Sequence, residues 1–162
     1  MADETLISRR MFKSYDPYEI ELPREQKLKV RDLKEAYSRA VRNREVQPNE
    51  RVSKAFQLAS GTELRKLDLS LIQFGSRDSV VAICDVLSLA RGLEEVNLDY
   101  CALSDDQLRL FLSALLCLRS QGEEQQYYRG ISKLSLAGND NITHEGWRSL
   151  SFFVHMVRTL FI

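Results

Sequence analysis

Apolar residues follow two different rhythms along this chain. Leu28, Leu33, Ala36, Tyr37, Ala40 and Val41 lie on one stripe at helical spacing, with Arg, Lys and Glu between them. That spacing predicts an amphipathic helix. A break follows at residues 43–47. Pro48 then suits the first turn of a second helix, where a missing N–H is no loss. Val52, Ala55, Phe56 and Ala59 line the buried side of that helix, and Ser60-Gly61 ends it. Residues 1–27 lack any such order. Asp16-Pro17 and Leu22-Pro23 interrupt regular structure there, so a poorly ordered segment is expected.

Beyond residue 63 the rhythm changes. Residues 1–63 hold 5 Leu and 24 charged residues, whereas residues 64–162 hold 19 Leu and 22 charged residues, so the second part carries the core. Three segments there align. The first is Leu64-x-x-Leu67-x-Leu69-x-x-Ile72-x-Phe74, and the second is Leu93-x-x-Val96-x-Leu98-x-x-Cys101-x-Leu103. The third is Ile131-x-x-Leu134-x-Leu136-x-x-Asn139, with Ile142 one place late. The starts are 29 and then 38 residues apart. In each, the alternation predicts a short strand with every second side chain turned inward. The residue at the Ile72, Cys101 and Asn139 position turns the chain away, and Asn or Cys there can bond freed backbone groups. A helix follows each strand: residues 78–89, a helix opened by the capping box Ser104-x-x-Gln107, and residues 143–161. Leu108, Phe111, Leu112, Leu115 and Leu116 give the middle helix its buried stripe.

The spacing resembles the leucine-rich-repeat pattern, in the long-period, ribonuclease-inhibitor-like subclass. It predicts an α/β leucine-rich-repeat solenoid, with parallel strands on a concave face and helices on a convex face. The expected organisation is a segment over 1–27, a helical N-terminal cap over 28–61 and about three repeats over 62–162. The extra residues 121–130 are polar and predict a surface loop. The last helix carries Phe152, Phe153, Val154, Met156, Val157, Leu160, Phe161 and Ile162 with no polar cap after it. The expectation is therefore a truncated solenoid whose apolar end packs on further repeats or another chain. The apolar stretch 147–162 is too short for a membrane span and carries Arg148, His155 and Arg158.

Charge and candidate chemistry narrow the function. Lys+Arg and Asp+Glu both number 23, so bulk charge gives no reason to bind nucleic acid or an anionic membrane. Three Cys without paired spacing and an N-terminus without an apolar signal core point to the cytoplasm or nucleus. No Gly-rich phosphate loop, C-x-x-C or H-E-x-x-H occurs. His144 and His155 are eleven apart, which gives no adjacent helical ligand pair. Cys84 and Cys117 fall in apolar stripes and Cys101 at a turn. No catalytic residue, cofactor site or metal site is expected, and the chain reads as a non-enzyme.

A partner surface is expected instead. The strand residues between the inward Leu positions share one face: Lys66, Asp68 and Ser70; Glu95, Asn97 and Asp99; Lys133, Ser135 and Ala137. Asp68, Glu95 and Asp99 make its middle acidic, with Tyr100 at the edge, so a protein partner with basic side chains is expected.

Two stretches carry a narrower likeness. They are DLKEAYSRAVRNREVQPNERV (residues 32–52) and NITHEGWRSLSFFVHMVRTL (residues 141–160), with Gly146-Trp147 in the second. Together with the segments between them, they resemble the leucine-rich-repeat regulatory subunits of protein phosphatase 1 and related fungal proteins, over roughly residues 28–162. The resemblance implies a non-catalytic subunit that restrains or directs the phosphatase catalytic subunit. It also implies a basic-Val-x-Phe docking peptide upstream of the repeats. Arg9-Arg10-Met11-Phe12 lacks the Val, which leaves Arg9, Arg10 and Phe12 as a degenerate candidate, and Arg51-Val52-Ser53-Lys54 lacks the aromatic. The alternative role is an adaptor or small-GTPase regulator with a different partner.

Overall fold

The computed structural model describes residues 32–120 and 131–159. Segment 1–27, Leu28, the loop 121–130 and Leu160, Phe161 and Ile162 lie outside the described residues, as does the candidate peptide Arg9, Arg10 and Phe12.

Two helices come first, α1 (Leu33–Asn43) and α2 (Glu50–Gln57). Each begins on a capping side chain. Asp32 accepts from the Glu35 N–H, and Asn49 accepts from the N–H groups of Arg51 and Val52. Asn49 takes the cap, so Pro48 sits outside α2 rather than in its first turn, and α2 ends before Ser60-Gly61. Leu33, Ala36, Tyr37, Ala40 and Val41 are buried on α1, and Val52, Ala55 and Phe56 on α2. Tyr37 and Phe56 join the two helices, their ring centroids 5.7 Å apart.

Three strand–helix pairs follow: β1 (Lys66–Asp68) with α3 (Arg77–Leu87), β2 (Glu95–Asn97) with α4 (Asp105–Ser120), and β3 (Lys133–Ser135) with α5 (His144–Thr159). The strands pair in parallel in the order β1-β2-β3. Their register sets Leu67 beside Val96 and Val96 beside Leu134. The helices pack in sequence, α1 on α3, α3 on α4 and α4 on α5. Leu67, Leu69, Val96 and Leu98 point into one core with Ile83, Leu87, Leu108, Phe111 and Leu112. Their neighbours along the strands face solvent or are half-buried. The sheet therefore has a helix-covered face and an open face.

The expected leucine-rich-repeat solenoid is not what these elements form. The described residues make a small α/β unit of five helices and one open sheet of three parallel strands, each three residues long. Burial also decays across the sheet. Leu67 and Leu69 are 2% and 0% exposed and Val96 and Leu98 match them, whereas Leu134 and Leu136 are only partly buried. Local Leu spacing sets the strand and its register. It does not set how many units stack or whether the stack curves.

Turn chemistry holds the units together. The Asn139 side chain accepts from the N–H groups of Cys101 and Leu103 (both 3.1 Å) and donates to the carbonyls of Leu98 and Leu136 (2.8 and 2.9 Å). One unit earlier, the Cys101 thiol donates to the Leu69 carbonyl at 3.1 Å. Ile72, with no polar atom, fills the same position in the first unit by burial alone. The Ser104–Gln107 capping box closes in both directions.

Candidate functional site

The open sheet face gathers the residues assigned to it from the alternation. The register aligns Lys66 with Glu95 and Glu95 with Lys133, then Asp68 with Asn97 and Asn97 with Ser135. Ser70 and Asp99 continue the face beyond the strands, because the Leu71 and Tyr100 N–H groups carry the pairing on to Asp99 and Ala137. All nine candidates, from Lys66 to Ser135 and including Tyr100, are exposed or half-buried.

The face is less acidic than a count of carboxylates suggests. Glu95 is paired with the Lys66 ammonium at 3.4 Å. Asp99 accepts from the Ser135 hydroxyl (2.6 Å) and the Ala137 N–H (2.7 Å), so its carboxylate ties β3 to β2. Asp68 accepts from the Ser70 N–H at 3.0 Å. Hydrogen bonds from Ser70 hold its carboxyl below the usual range, with Arg51 adding a smaller pull. Of the three carboxylates, Asp68 is the most open to solvent.

The most exposed apolar groups near this face lie at the C-terminal ends of the strands. Leu71 and Tyr100 are each 61% exposed. Both have left-handed backbone, φ +61° and +55°, and Gly138 occupies the same place after β3 with φ +67°. A side chain in that region is unfavourable by about 1 kcal/mol, and Gly removes the penalty. The Tyr100 ring lies against Gly138. Leu71 escaped the sequence reading, although its spacing from Leu64 equals that of Tyr100 from Leu93 and of Gly138 from Ile131. Arg51 was also missed in this role. Its guanidinium donates to the carbonyls of Leu71 (2.9 Å) and Ser70 (3.2 Å), tying α2 to this corner. That bond, with Val52 fully buried, removes Arg51-Val52-Ser53-Lys54 as an accessible docking peptide.

The cysteines and histidines singled out in the sequence belong to the turns and helices rather than to the strands. Cys84 and Cys101 are buried thiols that donate to the Leu110 and Leu69 carbonyls, and burial pushes the Cys101 thiol up, away from nucleophilic form. The side chain of Cys117 lies outside the described residues. His144 is exposed and lies 3.1 Å from the Glu145 carboxylate. Among the described residues, no cluster of three or more His, Cys, Asp or Glu is placed to hold a metal. Among them, too, no helix is long and apolar enough to cross a membrane.

A cavity of about 290 Å³ opens between α1, α2 and the start of α3, lined by Tyr37, Asn49, Val52, Phe74, Ser76 and Ile83 among others. Several of its polar atoms serve the scaffold. The Tyr37 hydroxyl accepts from the Asn49 N–H, and the Asn49 and Ser76 side chains cap helices. No nucleophile–base pair converges there.

On α5, Phe153 is buried, Phe152, Met156 and Val157 are half-buried, and Trp147 and Val154 are 47% and 45% exposed. No protein-family model, curated protein or solved structure matches the chain.

Proposed function

We propose that the chain is a non-catalytic protein-binding module whose partner sits at the C-terminal ends of the strands, on Leu71 and Tyr100 with Asp68 beside them. One observation carries this reading. Two large side chains stand exposed, in successive turns, in a backbone conformation that favours Gly. Strained, exposed positions of this kind collect at working surfaces, and exposed Tyr is a frequent anchor of protein interfaces. Asp68 adds a carboxylate for a basic side chain of the partner.

The particular partner we propose is the catalytic subunit of protein phosphatase 1, which the chain would restrain or direct in the cytoplasm or nucleus. The support is the likeness in residues 32–52 and 141–160.

Purified chain and phosphatase catalytic subunit, mixed and run by size exclusion, should co-elute, and activity on a phosphoprotein should fall. Leu71→Gly with Tyr100→Ala should weaken the complex at least tenfold while the far-ultraviolet dichroism is unchanged. No co-elution rejects the phosphatase role. A complex indifferent to the double variant rejects the surface. Faster GTP hydrolysis by an added small GTPase, with no phosphatase effect, would favour the regulator alternative.

A further inference from the structure

The two edges of the sheet are finished differently. At β1 the chain closes the two ends of the outer edge, before the strand at Glu63 and after it at Ser70, and leaves the outward backbone of Lys66 and Asp68 open. Arg51 donates to the carbonyls of Ser70 and Leu71, and Ser60 and Glu63 exchange backbone hydrogen bonds (both 3.0 Å) in a tight antiparallel bridge. At β3 the Asn139 amide takes the outward Leu136 carbonyl, and no further segment among the described residues pairs along the edge. Between the strands, Leu69 N–H bonds Asn97 and Leu98 N–H bonds Ser135, while Leu71 N–H bonds Asp99 and Tyr100 N–H bonds Ala137. The groups in the same register on β3 are the N–H of Leu136 and Gly138. Neither has a backbone partner among the described residues. The same holds for the Ser132 carbonyl, whose counterparts on Arg65 and Glu94 each accept two N–H groups.

Side chains repeat the asymmetry. Ile131, Leu134 and Leu136 are half-buried where Leu93, Val96 and Leu98 are covered, and Leu150, Phe152 and Val157 of α5 lie partly open. On the open face the register runs Lys66, Glu95, Lys133. Glu95 is bonded to Lys66, and Lys133 has no ion-pair partner among the described residues.

We propose that the outer edge of β3 is a strand-addition site for an extended peptide segment of a partner protein. Unpaired N–H and C=O groups in ladder register are satisfied by another backbone, which is the chemistry of strand addition. The side chains specify the segment. One face of it is apolar, against Leu134, Leu136 and α5. The other places a carboxylate across from Lys133, as opposite charges on neighbouring strands attract. The site adjoins the Leu71–Tyr100 surface at Gly138 but uses different groups, the backbone of β3 and the side chain of Lys133.

The test uses the full chain and a fluorescein-labelled ten-residue Glu-Val repeat, read by fluorescence anisotropy. The peptide should bind, and a Lys-Val repeat should bind at least tenfold more weakly. Lys133→Glu should reverse that preference. A Glu-Val peptide N-methylated on every second residue, in the set that faces the edge, should lose binding tenfold or more. N-methylation of the other set should have little effect. Leu58→Ala, an exposed position at the end of α2, should not change the affinity.

Equal losses from both methylated sets, or none from either, would show charge attraction without strand pairing and overturn the proposal. Absence of binding overturns it too. Self-association by sedimentation that the peptide cannot displace would give the edge to a second copy instead and equally reject it.

Discussion

Tyr100 and Gly138 are matched across the strand ends: a Cβ on Gly138 would lie 2.2 Å from Cδ1 of the Tyr100 ring. The same glycine has φ +67°, so a side chain there meets both the ring and the backbone penalty. Gly138→Ala should lower stability by roughly 1–3 kcal/mol in urea unfolding. Adding Tyr100→Ala should recover the steric part and leave the backbone part of about 1 kcal/mol. Equal losses in the single and double variants would mean the ring does not rest on this glycine.

Asn139 ranks first among the polar groups of the core. It is 5% exposed and serves two backbone N–H groups and two well-placed carbonyls of neighbouring turns. Asn139→Ala leaves those buried groups unpaired and should destabilise by about 3 kcal/mol. Asn139→Asp keeps the acceptor but loses the donor, and it buries a charge, so it should not rescue. Urea midpoints of the two variants check this, and a loss below about 1 kcal/mol for Ala would refute it.

The Arg44 guanidinium meets Asp85 through two bonds, Nε to Oδ2 at 2.7 Å and Nη2 to Oδ1 at 3.2 Å. Asp85 is 7% exposed, and the pair clamps the end of α1 to α3. Losing this two-bond pair weakens the clamp on a mostly buried carboxylate, so Arg44→Ala and Asp85→Ala should each lose roughly 1–3 kcal/mol. The joint variant should lose clearly less than the sum. Strict additivity in a double-mutant cycle would deny the coupling.

Asp105, at the start of α4, accepts from the Thr143 hydroxyl and the Thr143 N–H (2.9 Å) just before α5. The Thr143 hydroxyl is the main reason its carboxyl is held below the ordinary range. A folded value below the unfolded one stabilises the fold at pH above about 4. That contribution fades as pH falls through the folded value. Asp105→Asn should therefore reduce stability at neutral pH and flatten its acid dependence below about pH 4. Thermal unfolding between pH 2 and 7 would show it, and parallel curves for both proteins would refute it. Gly146 belongs to the same contact, since a Cβ there would lie 2.3 Å from Asp105 Oδ1.

Much of the local structure was legible because it depends on neighbours in sequence. The alternation at Leu67-x-Leu69 and Val96-x-Leu98 sets inward and outward faces by the two-residue period of a strand. Because Leu134-x-Leu136 shares that alternation, the register followed. Ser104 and Gln107 cap a helix from three residues away, so their box could be read directly. Eight of the nine candidates on the open face came from the same alternation, with Tyr100 placed at its edge. Leu71 did not, because its exposure depends on a left-handed turn rather than on strand period.

The sequence alone determined the order of strands and helices, which side of each is apolar, and which turn residues can bond backbone. Those follow from interactions spanning a few residues. Tertiary structure alone decided the rest. Arg44 finds Asp85 from 41 positions away, and Arg51 reaches the Ser70 carbonyl from 19. The carboxylates of Glu95 and Asp99 are occupied by groups from adjacent strands. Only the assembled sheet reveals that the described residues form one open sheet of three parallel strands rather than a solenoid. The physical reason is range: side-chain period is a local property, while burial, charge pairing and edge closure depend on what lies alongside in space.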